Sequence, residues 1–238
     1  MLFIKKSVAG SFPVDIIPKS DEENIQNNKY FFNKYKDDPC YISYKMEGQS
    51  TSFIVKKVNK KYVFSYYGRS AAGTGAQYEF IKEHDIEKKM LDYAKKNNVE
   101  SFAVQGEFCA PSVQKGIYKN GVHQYVYKIN IDGNTVDLTK MLKICSELGF
   151  ETVPIMCIES SGFGKMFKSL NEMQEKTEHI WFKLSDIGTL VFADDRDVAG
   201  IPKKKDGTWH RNEGLVIRNV DESWSFKVKS NEYAIEGL

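Results

Sequence analysis

The sequence predicts an α+β fold in which antiparallel sheets are flanked by helices, and three observations carry that prediction. Residues 40–67 contain β-branched and aromatic segments at 41–44, 52–58 and 62–67, with Asn59-Lys60-Lys61 as a hairpin turn. Two later segments read as helices. In 85–97, Ile86, Met90, Leu91 and Ala94 recur at helical spacing with lysines towards the C-terminal end, and 137–148 closes on Gly149. Near the end come two alternating strands, 213–220 and 224–230, about the turn Asp221-Glu222-Ser223.

Composition narrows the function classes. A chain of 238 residues with 41% apolar content can bury one large core or two small ones, and length does not choose between them. With a net charge of +2, any nucleic-acid contact has to come from local patches. Cys40, Cys109, Cys145 and Cys157 lie far apart, with no Cys-x-x-Cys pair and no histidine at metal spacing. Neither a zinc knuckle nor a disulfide framework is indicated, and the chain reads as reduced and cytoplasmic. The N-terminal run MLFIKKSVAGSF is too short for a signal peptide, and no window approaches the roughly 18 apolar residues of a membrane span.

Taken in order, residues 1–40 are mixed. Phe12-Pro13-Val14 and Ile16-Ile17-Pro18 are extended and apolar, and Ser20 followed by Asp21, Glu22 and Glu23 reads as an N-cap with acids in the first turn. That predicts a short helix running to about Tyr35. The three strands of 40–67 read as a meander with Lys45 on it. Gly68-Arg69-Ser70-Ala71-Ala72-Gly73-Thr74-Gly75 invites a phosphate-loop reading, but a Walker loop would end in Gly-Lys-Ser/Thr. The segment reads instead as a loop with Arg69 as its functional candidate.

Residues 101–109 (SFAVQGEFC) form a buried strand carrying Glu107, a carboxylate that is costly in an apolar run unless a cation meets it. In 125–131 (YVYKINI), alternation puts Tyr125, Tyr127, Ile129 and Ile131 on one face, which is either core or a base-stacking platform. Residues 152–158 read as a buried strand, 164–176 as a helix and 193–212 as a loop. Within that loop Lys203-Lys204-Lys205 is either a solvated run or a nucleic-acid contact. In the final strand Ser225, Lys227 and Lys229 fall on one side and Trp224, Phe226 and Val228 on the other, with the two lysines about 6–7 Å apart. Two lysines on one face suggest a polyphosphate site; the alternative is a solvated strand face.

Singly these residues are ordinary, but their order is not. Tyr44-Lys45-Met46-Glu47-Gly48, then Arg69, the Gly106-Glu107 strand, the strand with Tyr127 and Ile129, Glu213-Gly214-Leu215-Val216, and Lys227-Val228-Lys229 resemble the covalent nucleotidyltransferase superfamily of ligases and capping enzymes. The likeness runs from about Tyr44 to Ser230. Gly106-Glu107-Phe108-Cys109-Ala110-Pro111 with Gln114-Lys115-Gly116, Ile17-Pro18-Lys19-Ser20-Asp21-Glu22, and Ser225 through Tyr233 look like ATP-dependent RNA ligases of the phage-type and editing-ligase branch. DNA ligases and capping enzymes share the motifs but less of this wording, and usually carry an OB domain after the lysine strand.

The resemblance implies a nucleotidyltransferase (ATP-grasp-like ligase) catalytic domain with the nucleotide in a cleft between sheets. It is expected as one domain over 1–238, with no appended OB or C-terminal domain. It implies an RNA ligase that joins AMP to Lys45, passes it to an RNA 5′-phosphate and seals that end to a 3′-OH, using ATP and Mg²⁺ or Mn²⁺. Attack needs the unprotonated amine, a form that neighbouring Lys227, Lys229 and a metal favour. The implied catalytic set is Lys45, Glu107, Glu213, Lys227 and Lys229; the nucleotide site adds Tyr44, Glu47, Arg69, Tyr127 and Ile129. Glu47, Glu107 and Glu213 are the implied metal ligands, directly or through water.

The sequence departs from the superfamily pattern twice. Glu47 stands where Asp is usual, and Ile129-Asn130 where an aromatic precedes Asp, so either Ile129 or Tyr127 packs on adenine. The implied substrate is RNA with 5′-phosphate and 3′-OH ends, at a nicked duplex, with a separate RNA-binding domain or protein and no membrane. The implied location is the cytoplasm, or the host cytoplasm for a phage-encoded chain. The alternatives are a minimal ATP-dependent DNA ligase, a capping enzyme, and an inactive nucleic-acid-binding module of the same fold.

Overall fold

In chain order the elements are β1 (Glu23–Asn24), α1 (Tyr30–Tyr35), β2 (Cys40–Tyr44), β3 (Gln49–Val58), β4 (Lys61–Tyr67), α2 (Gly75–Glu83), α3 (Ile86–Lys96), β5 (Ser101–Cys109), β6 (His123–Ile131) and β7 (Asn134–Thr135). They continue with α4 (Leu138–Leu148), β8 (Ile155–Glu159), α5 (Leu170–Glu178), β9 (Ile180–Leu184), β10 (Leu190–Asp194), β11 (His210–Arg211), β12 (Gly214–Asn219), β13 (Ser225–Lys229) and α6 (Asn231–Ile235). The structure is a computed structural model and describes residues 12–18, 22–69, 75–114, 118, 121–184, 189–194 and 209–235. Lys203, Lys204 and Lys205 lie outside the described residues. The class is α+β, as expected. The chain divides into two compact units, one of residues 1–21, 48–114 and 122–152, the other of residues 22–47, 115–121 and 153–238.

The first unit is built on a five-stranded sheet of order β4-β3-β5-β6-β7, antiparallel throughout. The β3–β4 hairpin turns on Asn59 and Lys60, both at positive φ, as a two-residue turn requires. One face carries Phe53, Phe102 and Phe108 against the helices. Phe80 of α2 meets Phe108 edge-on at 5.8 Å, Tyr93 of α3 meets Phe102 at 4.5 Å, and Gln77 of α2 donates to the Thr51 hydroxyl. The opposite face is partly covered by the N-terminal segment, where Phe12, Ile16 and Ile17 pack on Ile54 and Ala103 with Tyr67 beside them. Full burial of each such side chain is worth about 1.5–3 kcal/mol.

The second unit holds a five-stranded sheet of order β1-β13-β12-β2-β8 and a three-stranded sheet, β10-β9-β11. In the larger sheet Ile42, Leu215, Ile217, Phe226 and Val228 face a core with Phe32, Phe163, Phe167 and Met173. Strand alternation therefore puts Tyr41, Ser43, Val216, Arg218, Lys227 and Lys229 on the other face, and the split predicted for β13 holds.

Five local expectations are corrected. The helix expected from Ser20 begins only at Tyr30, because β1 pairs in parallel with β13 and Asn24 caps a 3₁₀ turn at Ile25–Asn27, which locks Ile25 into the core. Strands 2, 3 and 4 are no meander. β2 pairs with β12 and β8, whereas β3 pairs with β4 and β5, so the linker through Lys45–Gly48 carries the chain from one sheet to another. The strand expected to be buried at 152–158 is an edge strand, with Met156 and Ile158 exposed. The helix expected at 164–176 is a 3₁₀ turn at Phe163–Lys165 followed by α5, since the Ser169 side chain caps Glu172 N and starts the helix afresh. In the region expected to be loop at 193–212, β10 and β11 flank undescribed residues and pair with β9. Among the described residues no helix is long and apolar enough to cross a membrane.

All four cysteines are free. Burial pushes the Cys40 and Cys145 thiols up to about 12 and Cys157 to about 11. These three stay protonated, and so unreactive, at mildly alkaline pH. A disulfide reagent at pH 8 is expected to leave them unlabelled in the native protein and to titrate all four thiols in denaturant; rapid native labelling of Cys40 or Cys145 would contradict this burial.

Candidate active site

Lys45 follows the last residue of β2, and its backbone N–H extends the ladder by donating to Gly214 O at 2.8 Å. Its ammonium bonds the Glu213 carboxylate, each side chain being 22% exposed. The residues that hold this pair are local and specific. Asn212, 2% exposed, uses its side-chain oxygen to accept from Gly214 N, and Ser230 N donates to Glu213 O at 3.0 Å. Gly214 sits at φ +146°, and a Cβ there would overlap the Val228 carbonyl oxygen. Gly214→Ala is therefore expected to cost roughly 1–3 kcal/mol and to displace Glu213. Thermal denaturation checks this, and an unchanged midpoint would overturn it.

On the same sheet, Lys227 stands opposite Val216 and Lys229 opposite Gly214, the first half-buried and the second exposed. Glu47 is buried at 8% exposure. Tyr233 on α6 is its neighbour: burial first, then the carboxylates of Glu47 and Glu213, push the Tyr233 phenol far above its usual range.

Helix α6 is fixed by Glu178 at the end of α5. Its carboxylate accepts from Ser230 Oγ at 2.6 Å, Asn231 N at 2.8 Å and Glu232 N at 3.0 Å, which caps the helix start. Arg211 completes the clamp. It lies 4.5 Å above the buried Trp181 ring, pairs with Glu232 at 2.6 Å and donates to Glu178 O.

Tyr44 does not share the Lys45 side. It pairs with Leu215 on the core face and stacks on Phe192 at 3.5 Å, and burial pushes its phenol up to about 12. A cavity of about 360 Å³ lies there, lined by Tyr44, Phe167, Lys176 and Asp194 among others, with Lys45 not in its wall.

The remaining candidates belong to the other unit. Gly48 presses on the strand that carries Glu107: a Cβ on it would lie 2.8 Å from Glu107 Cγ and 2.6 Å from Phe108 O. Register places Ser50, Glu107 and Tyr125 side by side on one face. Between Val126 and Lys128, β6 has one residue more than β5, so Tyr127 is a bulge. The Tyr127 hydroxyl meets Ser50 Oγ at 2.9 Å, which puts it with Glu107. Beyond the bulge the alternation is inverted. Ile129 pairs with Val104, fully buried on the face turned to the helices, and Ile131 pairs with Phe102 on that same face. The expectation that Tyr125, Tyr127, Ile129 and Ile131 share a face is thus corrected. Arg69 is exposed just past β4.

The structure thus gathers Lys45, Glu47, Glu213, Lys227 and Lys229 in one unit and Glu107 with Tyr127 in the other. Sequence reasoning missed Tyr233, Ser50 and Lys128. Tyr233 had a signal in the wording Ser230-Asn231-Glu232-Tyr233, whereas Ser50 and Lys128 reach the Glu107 face only through pairing and the bulge. Among the described residues no group of three or more His, Cys, Asp or Glu comes together to hold a metal. Mg²⁺ and Mn²⁺ need less from the protein: one or two carboxylates with water and phosphate oxygens suffice, and Glu47 and Glu213 about Tyr233 fit that donor set.

The RNA ligase family profile matches residues 38–231. Comparison with curated protein sequences gives no significant match. Among solved structures, a mutant of Naegleria gruberi RNA ligase with ATP and manganese is 19% identical with a TM-score of 0.71, over 98% of this chain and 62% of that one. The same ligase with pyrophosphate gives 19% and 0.71 over 98% and 61%, and a mutant with AMP and manganese gives 18% and 0.70 over 97% and 60%. This chain spans about three fifths of the length of the structures it matches.

Proposed function

The chain belongs to the RNA ligase family, and from that premise we propose that it is an ATP-dependent RNA ligase working through a lysyl-AMP intermediate. The observation that carries the reading is the Lys45–Glu213 pair, held by Asn212, Gly214 and Ser230 beside the two lysines of β13.

In the first step the Lys45 amine leaves the Glu213 carboxylate, gives up a proton and attacks the α-phosphorus of ATP. A nitrogen–phosphorus bond forms, the bond to the β-phosphate oxygen breaks, and pyrophosphate departs. An RNA 5′-phosphate oxygen then displaces the lysine, which regains its proton, and an RNA 3′-OH displaces AMP. Phosphoryl transfer depends on positioning and on neutralising spread charge more than on acid–base work. Lys227 and Lys229 supply cations on one strand face for phosphate oxygens. Glu107 and Tyr127 offer an acceptor and an aromatic ring to ribose and base, and Arg69 offers a cation to RNA phosphate. A divalent metal, when bound by Glu47 and Glu213 with phosphate oxygens, supplies Lewis-acid neutralisation of the triphosphate.

The substrate in this reading is a nick in duplex RNA, sealed together with a separate RNA-binding domain or protein. The four free cysteines support a reducing, cytoplasmic setting. Incubation with α-labelled ATP and Mg²⁺ or Mn²⁺ is expected to leave label on Lys45, chased onto nicked RNA in preference to nicked DNA. No adduct, or label on another lysine, would overturn the proposal.

A further inference from the structure

Glu178, the last residue of α5, is tied to the segment after the lysine strand by more than a helix cap requires. Ser230 already caps α6, its hydroxyl oxygen accepting from Tyr233 N at 3.1 Å. Glu178 adds a tie from that cap to another helix. One carboxylate oxygen accepts from Ser230 Oγ and Glu232 N, the other from Asn231 N and the Gln174 amide, so both are used. A carboxylate at the C-terminal end of a helix is disfavoured by that helix's dipole, and here the donors of the 230–232 junction offset it.

From this junction the bonds lead to the site. Ser230 N donates to Glu213 O at 3.0 Å, and the Glu213 carboxylate bonds the Lys45 ammonium. The Gln174 amide that meets Glu178 also donates to Lys229 O at 2.8 Å, and Lys229 stands opposite Gly214 in the β12–β13 register. Gln174 is itself held by the Gln26 amide. The backbone oxygen of Glu178 accepts from Arg211, which pairs with Glu232 at 2.6 Å, while the next residue, Asn212, holds Gly214 N. Glu178 is thus one residue removed from both strands at the rung where Lys45 and Glu213 meet.

We propose that Glu178 is a positioning residue for the lysine nucleophile: through Ser230 and Gln174 it sets the β12–β13 rung that holds Glu213 against Lys45. The proposal rests on the RNA ligase reading for the reaction served, and Glu178 itself touches no reacting atom. Phosphoryl transfer tolerates little misplacement, a shift of about 1 Å being worth up to about 100-fold in rate. Glu178→Gln keeps the length and volume of the side chain but offers one acceptor oxygen where two serve Ser230, Asn231, Glu232 and Gln174. Glu213 then leaves its place against Lys45, while Lys227 and Lys229 keep their charges for phosphate.

In the full chain, Glu178→Gln is expected to slow lysyl-AMP formation from α-labelled ATP about 10- to 100-fold per folded molecule, with half-saturation by ATP within about 3-fold. A residue that only anchors the fold would lower the thermal midpoint and leave that rate within about 2-fold, and this result would overturn the proposal. Ser230→Ala is expected to slow the same step, and the double variant to be at most about 2-fold slower than the worse single one, because both break one chain of bonds. Losses that multiply would overturn it. If Glu178→Gln does not fold, Gln174→Leu, which removes the bonds to Glu178, Lys229 O and Gln26, carries the test with an expected loss of about 3- to 10-fold. Without ATP, acylation of Lys45 by an amine reagent, read by mass spectrometry, is expected to quicken about 3-fold or more in Glu178→Gln as Glu213 ceases to shield the amine. Lys96, paired with Glu147 in the other unit, is the internal reference. Unchanged labelling of Lys45 would overturn the proposal. An unaltered chain that forms no adduct would defeat the ligase reading alone, with the Lys45 labelling still reporting on Glu178.

Discussion

Lys45→Arg is expected to form no covalent adduct with α-labelled ATP, below about 0.1% of the unaltered rate, while still binding ATP within a few-fold. Arginine keeps a positive charge beside Glu213 and can still meet phosphate oxygens, but a guanidinium stays protonated and has no nucleophilic lone pair to offer phosphorus. Lys45→Ala is expected to lose the adduct as well and to leave Glu213 without its cation. Equilibrium binding of ATP beside gel detection of the adduct separates the two roles of the lysine. An adduct that persists in Lys45→Arg would show that another residue is the nucleophile, and unchanged ATP binding in both variants would show that Lys45 acts only as a nucleophile.

Arg218→Met is expected to cost about 3–5 kcal/mol of stability, a large share of the roughly 5–15 kcal/mol that holds a typical domain together. Arg218 is 2% exposed on β12. Its guanidinium pairs with Glu22 and lies 3.8 Å from Glu222, whose carboxylate also accepts from the Tyr41 hydroxyl. Burial chiefly, and the Glu222 and Glu22 carboxylates with it, hold the Tyr41 phenol well above its usual range, against the opposing pull of Arg218. Removing the cation takes the Arg218 charge from two carboxylates, the Glu222 side chain being only 4% exposed. Urea denaturation reads the cost as a lowered midpoint with an unchanged slope. A loss under about 1 kcal/mol would mean that solvent already compensates these carboxylates. Glu222→Gln, which keeps the shape and the Tyr41 bond, is expected to cost less.

How far the sequence went depended on how local each feature is. The strand at Ser101–Cys109 was legible to the residue, because its apolar run is bounded on both sides and pairs along its whole length. Helix α4 was legible because its signals, Asp137 at the start and Gly149 at φ +66° at the end, act within a few residues. The two faces of β13 followed from a side-chain period of two. The start of α1 was not legible: Ser20-Asp21-Glu22 has the composition of a helix start, but pairing of Glu23 with Phe226, two hundred residues on in the chain, overrides it.

For the candidate site the same division holds. The sequence by itself determined which residue types are available and their order: a lysine before a carboxylate and a glycine, two further carboxylates on strands, and paired lysines on one face. Only the tertiary structure decided which of them meet. It set Glu213 against Lys45, brought Tyr233 to Glu47, turned Tyr44 towards Phe192, and split the chain into two units within the motif itself, after Glu47. The bulge at Tyr127 is the sharpest case, because it exists only as a mismatch in length between two strands far apart in sequence. One extra residue on β6 keeps Tyr127 with Glu107 and sends Ile129 to the other face, and a period counted along a single strand cannot register it.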